Sequence, residues 1–147
     1  MFRTSPRIGL AAAALTALLL TGASAFAATQ SYVATLNAAS EVPPNDSKAT
    51  GAVTATYDTT TKKFTYTATY KDLTGPATAA HFHGPAVAGT NAPPVIPVPP
   101  TSLASPIKGE ATLTDAQAAD LTAGKLYFNV HTAAHGPGEI RGQVTKK

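Results

Sequence analysis

The histidines carry the concentrated chemistry of this sequence. His81 and His83 stand two apart in Ala80-His81-Phe82-His83-Gly84, and His131 closes the run Tyr127-Phe128-Asn129-Val130-His131. Imidazole nitrogens are ligands for divalent transition metals, with bonds of roughly 2.0 to 2.1 Å. In an extended strand, side chains two residues apart share a face, so His81 and His83 point the same way and Phe82 points the other. Burying Phe82 in a core would therefore turn both imidazoles outward. If a neighbouring strand supplies His131, three nitrogens can converge on one ion at the protein surface. Among divalent ions, an all-imidazole site takes Cu(II) most tightly, with Zn(II) next. The chain has no cysteine, and its single methionine, Met1, is expected to be removed with an N-terminal leader, so sulfur ligands are excluded and oxygen and nitrogen must suffice. His135 adds either a flexible fourth nitrogen or a solvated loop side chain. The plainer reading is that these histidines hydrogen-bond to neighbouring strands or to Glu139, and that His131 caps a strand end.

The segments that must position these residues read as strands. Ser31 to Asn37 alternates apolar and polar residues, as do Gly51 to Asp58 and Phe64 to Tyr70, the last two forming a hairpin across Asp58 to Lys63. Ala77 to Gly84 is a short strand bearing the H-x-H pair. Pro85 to Pro106 holds Pro93-Pro94, Pro97 and Pro99-Pro100, which predicts an extended polyproline-like loop. Thr114 to Gln117 has the form of a capping box, so one short helix follows, and Gly124 ends it. Lys125 to His131 and Glu139 to Val144 are two further strands, joined by a turn that contains His135. Several short strands with one helix predict a mainly β fold, an antiparallel β-sandwich or Greek-key barrel. Phe64, Tyr66 and Tyr57 belong to its core.

Glu139 and Arg141 fall on one strand face. A functional role would have Glu139 accept an imidazole N–H and Arg141 hold an anion, whereas a structural role would pair them across strands, with Glu41 meeting Arg141. Residues 1–27 have the form of a secretory signal peptide: Arg3 and Arg7, an apolar run to Leu20, and Ala25-Phe26-Ala27 before the expected cleavage point. The remainder, 28–147, is read as one domain, exported to the periplasm or beyond and free of the membrane. Loss of Arg3 and Arg7 brings the formal charge of +3 close to neutral, and no basic stripe exists to follow nucleic acid. No nucleophile elbow, phosphate loop or H-E-x-x-H motif occurs, which sets aside conventional hydrolases and nucleotide enzymes.

Four spaced motifs, Glu41-Val42-Pro43-Pro44, Ala80 to Pro85, Tyr127 to Thr132 and Gly138 to Gln143, together resemble the CHRD family, named after the repeated domain of chordin. The resemblance spans nearly all of 28–147 and implies an exported β-sandwich-like domain, in a family of extracellular animal regulators and small microbial proteins without a general activity. His135 stands where the family usually has another residue. The H-x-H strand with a distant third histidine is also similar to the copper site of copper-zinc superoxide dismutase, a likeness that carries no function by itself. Three functions follow as expectations. The first is a binding protein holding Cu(II), or else Zn(II), through His81, His83 and His131. The second is a structural or interaction module docking an extracellular protein or cell-surface polymer. The third is a copper enzyme with dismutase-like redox chemistry.

Overall fold

A computed structural model describes residues 28–147, so the expected signal peptide lies outside the described residues. Nine strands form one antiparallel sheet. In chain order they are β1 (Thr29–Asn37), β2 (Thr50–Asp58), β3 (Lys63–Lys71), β4 (Ala77–His83), β5 (Pro94–Pro97) and β6 (Ile107–Thr112), then β7 (Tyr127–Thr132), β8 (Ile140–Gln143) and β9 (Thr145–Lys146). One helix, α1 (Asp115–Thr122), joins β6 to β7. The spatial order is β5-β4-β7-β8-β1-β2-β3-β6, with β9 continuing the pairing along β1.

Strands β3 and β4 lie far apart in that order, yet their aromatic side chains touch. Phe82 meets Phe64 and Tyr66 edge-on, with centroids 5.2 and 4.8 Å apart, and Phe128 of β7 at 4.7 Å. The sheet therefore rolls over on itself into a nearly closed barrel whose interior holds Tyr32, Leu36, Val53, Phe64, Phe82, Phe128 and Ile140. The alternation of β1 to β3 reads directly as inside and outside: Tyr32, Ala34 and Leu36 are buried, as are Val53, Ala55, Tyr57, Phe64, Tyr66 and Ala68.

The helix starts as its sequence requires. The Thr114 hydroxyl accepts from the Gln117 N–H at 3.2 Å, and the Gln117 amide oxygen accepts from the Thr114 N–H at 2.9 Å. Gly124 follows with φ +68°, a left-handed conformation suited to glycine, and Leu121 is fully buried. Among the described residues no helix is long and apolar enough to cross a membrane.

Two segments differ from the sequence reading. The proline-rich stretch is not a continuous loop: Pro94–Pro97 forms β5 against β4, and Pro100–Ser102 makes a short 3-10 turn. Prolines are tolerated there because β5 is an edge strand, where a missing N–H leaves no neighbour unpaired. The second is β6, which no apolar alternation announces. Its inward position opposite Tyr66 is Gly109, and a Cβ there would lie 2.3 Å from the Tyr66 hydroxyl. The Tyr66 ring occupies the space that a β6 side chain would otherwise fill.

Candidate metal centre

Strands β4 and β7 are direct neighbours, and their register sets the site. His81 pairs with Asn129, His83 with Tyr127, and Ala79 with His131. With Phe82, Phe128 and Val130 buried in the barrel interior, the three imidazoles share the opposite face. One ring nitrogen from each of His81, His83 and His131 lies within 4.8 Å of the other two. The closest approach is His81 Nδ1 to His131 Nε2, 3.4 Å. Around one ion with tetrahedral bonds, neighbouring ligand atoms sit roughly 3.3 Å apart, so this pair is already at ligand spacing and His83 must close in.

Backbone carbonyls choose which nitrogen two of the rings present. His83 Nδ1 lies 2.9 Å from the Ala92 carbonyl, and His131 Nδ1 lies 2.9 Å from the Gly136 carbonyl. Each Nδ1 must carry the proton to donate, which leaves the Nε2 lone pair free in a neutral ring, as in many metal-binding histidines. His83 Nε2 is buried and has no hydrogen-bond partner. His81 offers Nδ1 instead. Burial lowers the pKa of His81, and the charges of His131 and His83 lower it further. Burial likewise lowers that of His83, against the opposing bond to Ala92. Both rings are thus kept in the unprotonated form that a metal requires.

This face is not an open surface, contrary to the sequence reading of outward-displayed imidazoles. The loop after β4 folds back over it. Arg141 Nη1 donates to Asn91 Oδ1 at 2.9 Å and Nη2 donates to the Thr90 carbonyl. The Tyr127 hydroxyl meets the Ala92 N–H at 3.2 Å, and Gln143 Nε2 donates to the carbonyls of Ala86 and Gly124 at 2.8 and 2.7 Å. His83 is left 8% exposed, Tyr127, Asn129 and Arg141 only 2%. Tyr127 stacks on His83, with centroids 4.8 Å apart and planes 4° from parallel, and carries the Arg141 guanidinium 3.4 Å over its ring centre.

The sequence model of the CHRD domain matches residues 32–144. The chain belongs to the CHRD domain family. No curated protein and no solved structure matches it.

In this CHRD domain the remaining titratable residues divide sharply. Glu139 is fully buried but faces no imidazole. It accepts from the Ser47 hydroxyl at 2.7 Å, the Thr74 N–H and hydroxyl at 2.8 Å each, and the Thr132 hydroxyl at 2.6 Å. Burial alone would raise its pKa, yet these donors outweigh it and hold the carboxyl below its ordinary value. Glu139 therefore ties three loops together. Arg141 and Glu41 make neither of the two ion pairs among the described residues, which are Lys62–Asp115 and Lys63–Glu110. His135 lies in the turn after β7 and is not one of the clustered histidines.

Glu41 is 3% exposed, and its Oε1 has no hydrogen-bond partner. It packs against Gly138, where φ is +142° and a Cβ would fall 2.2 Å from Oε1, so only glycine fits. Burial pushes the Glu41 pKa up to about 7, with Arg141, the Val42 backbone and the Asn129 side chain pulling against it. Unfolded, this carboxyl titrates near 4.5. The folded state thus binds the extra proton between those values, and the stability it contributes is full below about 4.5 and lost as pH rises through 7. That loss amounts to about 3 kcal/mol. The Glu41→Gln variant is expected to gain stability relative to the parent between pH 5 and pH 8, as read from urea midpoints. Parallel pH profiles for the two proteins would contradict the assignment.

Proposed function

We propose that this CHRD domain is an exported protein that binds a divalent transition metal through His81, His83 and His131, Cu(II) before Zn(II), for buffering or delivery. The observation that carries this reading is the convergence of three ring nitrogens within 4.8 Å, one of them buried without any partner. A buried polar atom left unpaired costs about 1 to 3 kcal/mol, and an ion removes that cost. The preference for Cu(II) rests on the order of divalent affinities for nitrogen donors. Export rests on the leader-like residues 1–27.

Native mass spectrometry of residues 28–147 with one equivalent of Cu(II) or Zn(II) tests the proposal. One ion per chain, lost in the His81→Ala, His83→Ala double variant, is the expected result; a parent protein that retains no ion would refute it. A second reading has its own support. The bonds from His83 to Ala92 and from His131 to Gly136 also pin the covering loop and the β7–β8 turn, so the same rings serve a structural module that docks an extracellular partner. In that case the alanine variants lose thermal stability in the presence of a chelator, and partner binding survives metal removal.

A further inference from the structure

Asn129 is the one polar side chain of the imidazole layer that the metal reading leaves without a task. It sits on β7 two residues before His131, directly across the ladder from His81, and is 2% exposed. Its Oδ1 lies 3.0 Å from His131 Nε2. The Gly136 carbonyl already claims the His131 Nδ1 proton, so a neutral His131 turns a lone pair toward the Asn129 oxygen. Two acceptors at 3.0 Å repel unless a cation lies between them, a metal ion or a second ring proton, or the amide turns over.

The oxygen end of the amide faces the histidines. The separations agree with shared coordination. Ligand atoms about 2.05 Å from one ion stand roughly 2.9 Å apart at right angles and 3.3 Å apart at tetrahedral angles. The observed edges are 3.0 Å from Asn129 Oδ1 to His131 Nε2 and 3.4 Å from His131 Nε2 to His81 Nδ1.

We propose that Asn129 Oδ1 is a fourth protein ligand, completing a three-nitrogen, one-oxygen set. This assignment rests on the metal reading above and deepens it. A neutral amide oxygen is a harder donor than imidazole or sulfur, so the set favours divalent ions over cuprous copper.

The test uses Cu(II) in competition with a chelator of known affinity, together with the electron paramagnetic resonance spectrum of the loaded protein. Asn129→Leu keeps the shape and removes the oxygen, and it is expected to weaken Cu(II) binding at least tenfold, roughly the scale of losing a supporting group at a metal site. Asn129→Asp keeps an oxygen in place and covers the case in which the leucine variant fails to fold. It should bind Cu(II) at least as tightly as the parent, with altered parallel hyperfine splitting. A merely structural asparagine would lower stability in both variants and leave affinity and spectrum unchanged. That result, with binding still abolished by the histidine variants, overturns the fourth ligand while the metal site stands. A parent protein that takes no Cu(II) overturns both.

Discussion

Replacing His81, His83 or His131 by alanine, one at a time, is expected to weaken Cu(II) binding by about 100-fold or more, whereas His135→Ala leaves it unchanged. Groups that merely support a metal ligand are worth about 10- to 100-fold, so a direct ligand should lie at or beyond the upper end. The effect should be largest for His83. Its Nε2 is buried and already lacks a partner, and its ring is oriented by the Ala92 carbonyl and the Tyr127 ring, so little orientational freedom is lost when it closes in on the ion. His81 is more exposed and has no carbonyl fixing its second nitrogen among the hydrogen bonds described. Competition titrations with a chelator at pH 7.5 read all four variants on one scale. Equal affinities for the parent and all three variants would remove the histidine cluster as a metal site.

The second large effect concerns stability. Glu139→Ala is expected to lower unfolding free energy by about 4 kcal/mol, the range seen when one partner of a buried charged network is removed. The carboxylate is fully buried and gathers donors from Ser47, Thr74 and Thr132, which come from three separate parts of the chain. Its removal strands those donors and leaves a cavity in the same place. Glu139→Gln keeps the volume but turns an NH2 toward donors, and about half that loss is expected. Because folding lowers this pKa, the stability that Glu139 supplies is present above the ordinary carboxyl value and disappears as pH falls through the folded one. Urea unfolding at pH 7 and at pH 4, with chelator present throughout, checks both points: the gap between parent and Glu139→Gln should narrow in acid.

The strands carrying the imidazoles were legible because period two is unambiguous when one face is strongly apolar. Phe82 between His81 and His83 could only point inward, and Val130 beside His131 likewise. The capping box fixed the start of α1 for the same local reason. What alternation could not show is that the outer face of β7 and β8 is buried as well. Tyr127, Asn129 and Arg141 look like solvent-facing strand residues, yet all are covered, because the loop from Gly84 to Pro93 lies across them. That covering depends on contacts between distant segments, such as Asn91 Nδ2 donating to the Val42 carbonyl at 3.2 Å, and no local pattern encodes it. For this reason Asn129 and the burial of Glu41 went unread. Strand β6 was hidden for the opposite reason, since its inward glycine is covered by a tyrosine from the neighbouring strand.

The prolines of β5 bear on what this protein can join to. Strand β5 is one free edge of the rolled sheet and runs beside the histidine strand β4, with Pro94 opposite His83 and Pro97 opposite His81. Without N–H groups at either end, that edge is a poor template for an added strand. The other edge, β6, carries Lys108 and Glu110 and lies at the far end of the strand order from the imidazoles. The histidine strand is thereby shielded from runaway self-assembly through strand addition at its own side of the sheet.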